Sequence, residues 1–267
     1  MKRLVFAGSA LVALALGSAN ATDLAPRPML TKAPVMAPVY SWTGFYIGLN
    51  GGYSWGKSST DFTVTGVPAG SASQNMNGWL GGGQIGYNWQ VQTWVFGIET
   101  DIQATGQKGT FGFSTPTICP PPAALALPCA TGSGSVEQKL PWFGTLRGRL
   151  GVTPTPNWLL YATGGLAYGE VDTNAALTAA VAFLGGPVIA STTAGASTST
   201  TKLGWTIGGG VEWSVFGPWT AKVEYLYVDL GTVNSSFAGP GVFTLVSTSS
   251  RITDNIARVG VNYRIGG

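Results

Sequence analysis

Phe45-Tyr46-Ile47-Gly48-Leu49-Asn50-Gly51-Gly52-Tyr53-Ser54-Trp55 decides the fold. Phe45, Ile47, Leu49, Tyr53 and Trp55 alternate with Tyr46, Gly48, Asn50, Gly52 and Ser54. Successive side chains of a strand point to opposite faces, so this is a strand with one apolar face and one small or polar face. A helix would repeat every 3.6 residues instead.

The same period of two recurs along the chain. Trp79, Ile85, Tyr87 and Trp89 oppose Gln84, Gly86 and Asn88. Trp94, Phe96, Ile98 and Ile102 oppose Gly97, Glu99, Asp101 and Gln103. Leu140, Trp142, Leu146, Leu150 and Val152 oppose Lys139, Thr145, Arg147 and Arg149. A fifth segment runs from Trp158 to Tyr168 with Leu160, Ala162 and Leu166 on its apolar face. Leu203, Trp205, Ile207, Val211 and Trp213 then face away from Lys202, Thr206 and Glu212. Trp219, Val223, Tyr225 and Tyr227 face away from Thr220, Lys222 and Glu224. Ala257, Val259, Val261 and Tyr263 oppose Arg258, Asn262 and Arg264. Leu80, Phe143, Leu159, Leu226 and Val228 fall on the polar side as exceptions.

Connections alternate in length. Short turns are expected around Gln90 to Thr93, Thr153 to Asn157 and Ser214 to Pro218; long loops are expected over Lys57 to Gln74, Gln107 to Glu137, Asp172 to Thr200 and Leu230 to Ser250. The third of these, rich in Ala, Ser, Thr and Gly, reads as flexible. Short turns at one end and long loops at the other are the asymmetry of an outer-membrane barrel. Tryptophan points the same way. Trp42, Trp89, Trp94, Trp158, Trp213 and Trp219, with Tyr263, fall at the short-turn ends, and Trp55, Trp79, Trp142 and Trp205 at the long-loop ends. Two aromatic belts are what two lipid–water interfaces select. The expected fold is therefore all-β, an eight-stranded antiparallel up-and-down transmembrane β-barrel, closed because lipid cannot hydrate an open sheet edge.

Composition agrees. Charged residues make up 9% of the 267-residue chain, against about 25% in an ordinary soluble domain. One strand face turned to lipid accounts for that scarcity. Histidine is absent, which removes His-based metal sites, His general bases and Ser-His-Asp or Cys-His catalysis. The glycine runs Gly81-Gly82-Gly83 and Gly208-Gly209-Gly210 lie within strands, with no helix signal after them, so they do not read as phosphate loops. No catalytic constellation, cofactor motif or metal site is found, and no enzymatic activity is expected.

The N-terminus reads as a secretory signal over residues 1–21: Lys2 and Arg3, an apolar run from Leu4 to Leu16, and Ala19-Asn20-Ala21 as the small-x-small cleavage pattern. Without Lys2 and Arg3 the charge falls from +3 to +1, so no nucleic-acid partner is implied. Residues 22–41, with Pro26, Pro28, Pro34 and Pro38, read as an extended periplasmic linker, and residues 42–267 as the barrel. Cys119 and Cys129, both in the second long loop, are expected to form a disulfide in an exported protein.

Strand charges fall on the inward face. Aligning neighbouring strands sets Glu99 and Asp101 near Arg147 and Arg149, Glu212 near Lys222, and Glu224 near Arg258. An internal ion-pair plug is the expected outcome, since unpaired charge in a low dielectric is costly. Inward glycines such as Gly48, Gly52, Gly86, Gly97, Gly204 and Gly208 keep a weak porin, passing small solutes by diffusion, as the alternative.

Trp42-Thr43-Gly44-Phe45-Tyr46-Ile47-Gly48-Leu49-Asn50-Gly51-Gly52-Tyr53-Ser54-Trp55-Gly56 resembles the opening strand of the small alphaproteobacterial outer-membrane β-barrel proteins, the outer-membrane immunogenic or porin-family proteins. Tyr161 to Gly169, Lys222 to Gly231 and Asn255 to Tyr263 are similar to later strands of that family. The resemblance covers the barrel apart from the long loops. It implies a Gram-negative outer-membrane location and a structural or surface role in envelope integrity and host or surface contact. The expected partners are outer-membrane lipid and lipopolysaccharide, the barrel-assembly machinery, and peptidoglycan or a host surface. Family members usually end on Phe; here Arg264-Ile265-Gly266-Gly267 follows Tyr263, so Tyr263 or Ile265 stands in as the assembly signal. The rival from another class is a soluble exported lipocalin-like ligand-binding barrel, which requires apolar residues inside and polar residues outside.

Overall fold

The structure is a computed structural model that describes residues 40–64, 67–114, 117, 119, 128–183, 186–237 and 246–265. The signal segment, and the linker as far as Val39, lie outside the described residues. Eight strands form one closed antiparallel ring in chain order: β1 (Gly44–Val64), β2 (Val67–Val91), β3 (Trp94–Ser114), β4 (Pro128–Thr155), β5 (Trp158–Phe183), β6 (Val188–Phe216), β7 (Trp219–Phe237) and β8 (Val246–Ile265). β1 pairs with β8 to close it, from Phe45 opposite Ile265 up to Val64 opposite Val246.

The short turns are tighter than expected. Two residues make each of them: Gln92-Thr93, Pro156-Asn157 and Gly217-Pro218. Gln92 and Gly217 take positive φ there, at 57° and 51°. At the other end the structure corrects the sequence expectation. Most of the four long segments is strand, including the stretch of Ala, Ser and Thr read as flexible, where Asp172 pairs with Ser199 and Val181 with Ala190. Serine and threonine runs carry little hydrophobic alternation, so a strand made of them leaves a faint periodic signal.

The ring is not paired along its full height. The β2–β3 ladder ends at Asn77 opposite Lys108, and the β6–β7 ladder ends at Trp205 opposite Asp229. Above those points, among the described residues, no ladder pairs join β2 to β3 or β6 to β7, while the other six ladders continue. Local chemistry marks the end of the β6–β7 ladder. Gly231 adopts φ 71°, the β7–β8 register shifts between Asp229 and Gly231, and the Asp229 carboxylate accepts from the Gly231 N–H at 2.8 Å and from Arg251 Nη2 at 2.7 Å. The bulge coincides with the last β6–β7 pair, Trp205 opposite Asp229.

Alternation sorts the faces. Phe45, Ile47, Leu49, Ile85, Phe96, Ile98, Leu146, Leu150, Leu203, Ile207, Val259 and Val261 are exposed on the outside, Leu203 at 75%. The inside carries Gln84, Asn88, Glu99, Asp101, Arg147, Arg149, Lys222, Glu224, Arg258 and Asn262, all buried. This polarity is the reverse of what a soluble ligand-binding barrel requires and corrects that alternative. Trp79 to Trp89 spans about 33 Å along β2, which at the usual tilt covers the ~25 Å apolar band of an outer-membrane barrel.

One strand departs from the expected phase. Leu140, expected on the lipid face, is buried inside, and Lys139, expected inside, reaches solvent. Inward positions step from Leu140 to Phe143, with Pro141 between them and a register shift against both neighbours. Proline has no N–H for the ladder, and at a bulge its absence costs nothing.

Glycine on the inner face makes room for large side chains. A Cβ on Gly86 would clash with Tyr46 Cζ and Oη and stand 2.7 Å from the Ile98 carbonyl oxygen. Gly86→Val is therefore expected to lower the unfolding free energy in lipid vesicles by about 1–3 kcal/mol, the cost of overpacking. Urea titration read by tryptophan fluorescence checks it.

Candidate functional site

The interior is built in layers. Near the short turns Trp42, Val95, Leu159 and Tyr161 cluster, with Tyr40 packed edge-on to Trp42 at 5.0 Å. The structure removes Trp42 from the aromatic belt: it is 2% exposed, donates its indole N–H to the Pro156 carbonyl at 3.0 Å, and donates its backbone N–H to Gln90 Oε1 at 2.8 Å. Its even number already put it in phase with Tyr46 and Gly48, which face inward. Tyr40, just outside the strands, has its phenol pushed above the ordinary range by burial, against the opposing pull of the Arg264 guanidinium over its ring at 4.3 Å.

The middle layer is an ion cluster of four carboxylates and four cations, all buried. Glu99 is its centre. Arg147 bonds it directly, Lys222 lies at 3.2 Å, Arg149 at 3.5 Å and Arg258 at 3.7 Å. Arg147 also reaches Asp101 at 2.9 Å and Glu224 at 3.0 Å, and Arg258 reaches Asp101 at 2.9 Å and Glu224 at 2.6 Å. Arg149 bonds Glu212 at 2.7 Å and lies over the Tyr161 ring at 3.9 Å.

Two of the three expected neighbourhoods are therefore brought together, and one resolves differently. Glu212 and Lys222 are opposite each other in the β6–β7 register, yet Lys222 extends across the lumen to Glu99. Glu212 is taken by Arg149, by Thr220 Oγ1 at 2.6 Å and by Asn262 Nδ2 at 2.7 Å. Strand alignment sees only adjacent strands; a narrow barrel also joins strands across its width.

Neutral residues complete the layer, and charge-based reading passed over them. Tyr46 donates to Glu99 at 2.7 Å and accepts from Arg149 at 2.8 Å, while Tyr161 donates to Glu224 at 3.1 Å. Gln84 donates to Asn262 at 2.6 Å and accepts from Asn50. Their inward phase was the available signal.

Above the ions lies an apolar plug: Met76, Leu80, Leu140, Phe143, Ala167, Val171, Leu226, Val228, Leu230, Val233, Ile252 and Ile256. It explains four of the five exceptions in the alternation, Leu80, Phe143, Leu226 and Val228; the fifth, Leu159, belongs to the lower cluster. Polar pairs follow higher up, with Gln138 Oε1 accepting from Ser58 at 2.7 Å and Gln74 at 2.9 Å, and Thr60 meeting Ser250 at 2.7 Å.

On the outer surface the register sets Trp89, Trp94, Trp158, Trp213, Trp219 and Tyr263 at the short-turn end and Trp55, Trp79, Trp142 and Trp205 at the other. Trp158 stacks on Trp213 at 5.7 Å, and Trp219 meets Tyr263 edge-on at 5.1 Å. Trp142 donates its indole N–H to Glu170 at 2.7 Å. Beyond this upper ring Lys139 bonds Glu137 at 2.8 Å, which holds that carboxyl below its usual range. Cys119 and Cys129 are joined as a disulfide at the long-hairpin end.

Residues 9–264 match the family described as outer membrane protein beta-barrel domain. The chain is 36% identical to the 31 kDa outer-membrane immunogenic protein of Brucella melitensis, over 99% of this chain and 100% of that protein. It is 32% identical to the 22 kDa outer membrane protein of Rhizobium leguminosarum, over 74% of this chain and 68% of that one. Identity to the 25 kDa outer-membrane immunogenic protein of Brucella abortus is 26%, over 99% and 98%.

The geometry makes Glu99 the counter-ion on which the layer depends. Glu99→Gln leaves four buried cations facing three carboxylates, and unfolding in vesicles is expected to become easier by about 3–5 kcal/mol. Lys57→Gln, on the exposed outer face, is expected to change it by less than about 0.5 kcal/mol. Equal urea midpoints for the two variants would contradict the assignment.

Proposed function

Since the chain belongs to the outer-membrane β-barrel family, its place is the outer membrane, and we propose that it works there as a sealed anchor with a structural and surface-contact role. The observation that carries this is the filled lumen. A neutral ion cluster with fully buried Arg147, Lys222 and Arg258 lies beneath an apolar plug that includes Phe143, Leu226 and Ile256. A solute crossing the barrel would have to break Glu99 from its cations and then displace packed side chains. Neither is compatible with passive diffusion through a rigid barrel.

The rest of the assignment follows from that role. Residues 1–21 direct export and are removed, and residues 22–41 tether the barrel in the periplasm, within reach of peptidoglycan. The short turns face the periplasm and the long hairpins the outside of the cell. Trp55, Trp79, Trp142 and Trp205 mark the outer interface, where lipopolysaccharide is the neighbouring lipid; Trp89, Trp94, Trp158, Trp213, Trp219 and Tyr263 mark the inner one. The hairpins, stapled at Cys119–Cys129, are the surface offered to a host or to antibodies, in keeping with the immunogenic names of the relatives. Tyr263 or Ile265, both exposed on the last strand, is what the barrel-assembly machinery reads. The protein carries out no catalysis.

Single-channel recording tests the sealed anchor. Refolded protein in a planar bilayer is expected to give no reproducible current steps. Discrete, protein-dependent steps would establish the weak porin instead.

A further inference from the structure

We propose that the outer face of β1, β2 and β3 binds a phosphorylated saccharolipid, the headgroup class of lipopolysaccharide, with Lys57 and Lys108 as the cations that hold its phosphate. The inference deepens the proposed outer-membrane anchor, which gives this lipid as the neighbour, and rests on that reading.

Charge on the outer face is placed at one end. Between the two tryptophan rings the outward positions of the described residues carry no charge. The outer-face cations, Lys57, Lys108, Lys139 and Arg251, all lie beyond the upper ring. Two of them are matched: Lys139 bonds Glu137 at 2.8 Å, and Arg251 bonds Asp229 at 2.7 Å. Among the described residues Lys57 and Lys108 have no carboxylate within ion-pair distance. Lys108 also stands directly opposite Lys139 in the β3–β4 register. A like-charge pair across two strands is destabilising by itself, and an anion relieves it.

Register gathers the two unmatched lysines into one patch. Lys57 pairs with Asn75 and Lys108 with Asn77, so two exposed asparagines of β2 lie between them. Two strand spacings across and two residues along set their Cα atoms ~12 Å apart. Lys57 is the next outward residue beyond Trp55, and Asn77 the next beyond Trp79. The patch therefore stands on the edge-to-face cluster of Tyr53 with Trp55, at 5.3 Å, and with Trp79, at 5.0 Å. That is headgroup height, where a lipid is the permanent neighbour. Ammonium groups give phosphate charge-assisted bonds, and asparagine amides offer sugar hydroxyls both a donor and an acceptor. Toward the middle of the membrane the same three strands line an apolar groove of about 800 Å³ with Ile47, Leu49, Gly83, Ile85 and Ile102, a seat for acyl chains. The β4–β5 sector is unsuited to phosphate, because Glu137, Glu170 and Asp172 stand at the corresponding height.

Native mass spectrometry of the refolded full barrel in detergent tests this, with a bisphosphorylated, multiply acylated glucosamine disaccharide as the probe. One such lipid per barrel is expected to be retained, with its dephosphorylated form and phosphatidylglycerol held about tenfold more weakly. Lys57→Gln/Lys108→Gln is expected to weaken retention about tenfold, and Lys57→Arg/Lys108→Arg to keep it within about threefold. Lys202→Gln, a cation on β6 opposite Gly169 and outside the patch, is expected to change nothing. Unchanged urea midpoints will show that these variants fold. Equal retention of the dephosphorylated lipid, or full retention by the double glutamine variant, would overturn the proposal. So would displacement by equimolar inorganic phosphate, which marks a free-phosphate site, or by an equimolar polyglutamate peptide, which marks an acidic protein partner. The measurement reads neither conductance nor orientation in the cell. A barrel that holds the lipid yet gives current steps overturns the seal alone, and a silent barrel that does not hold it overturns this site alone.

Discussion

Hydrocarbon offers a backbone amide nothing to bond, and each unsatisfied N–H or C=O there costs several kcal/mol. Closure of the ring follows from that single constraint, and so does the place where closure ends. The β2–β3 ladder stops two residues above Trp79 and the β6–β7 ladder stops at Trp205, both in the upper aromatic ring. Within the band every strand has two neighbours. Above it water meets the backbone's needs, and two of the eight ladders stop.

Inside the band the constraint returns as electrostatics. The lumen is too narrow for bulk water, so charges there must neutralise one another. Each of the four cations lies within reach of Glu99, and Asp101, Glu212 and Glu224 divide the remaining donors. A cluster joined across the barrel's width ties non-adjacent strands: Arg147 of β4 to Glu224 of β7, Arg149 of β4 to Glu212 of β6, Arg258 of β8 to Asp101 of β3. Buried ion pairs add little net stability over apolar packing, but breaking one is expensive. Their contribution is to hold one register, since a strand slipped by one residue would turn its charge into lipid.

Most of the barrel was legible in the chain because lipid on one side and a packed lumen on the other enforce a strict period of two. Phe45 to Trp55 shows it without exception. The misreadings have particular causes. Trp42 precedes the first strand and was placed by residue type, when its phase already pointed inward. Leu140 and Lys139 were assigned by extending the alternation through Pro141, where the strand steps out of phase. The upper hairpins read as loops because their buried face is largely Ser, Thr, Ala and Gln, which leaves little hydrophobic contrast with the outer face. Lys222 was given its register neighbour because a sequence contains no information about side chains meeting across a lumen.

The two short ladders also set where the cylinder is strong. The seam between first and last strands runs from Phe45–Ile265 through to Val64–Val246, whereas the β6–β7 ladder ends at Trp205. The junction made last in assembly is thus a full-length zipper, and the shortest one lies between strands already joined by the Gly217-Pro218 turn. Lateral force on the surface hairpins would be taken up by hinging at that short junction, and the chain's ends would stay clasped.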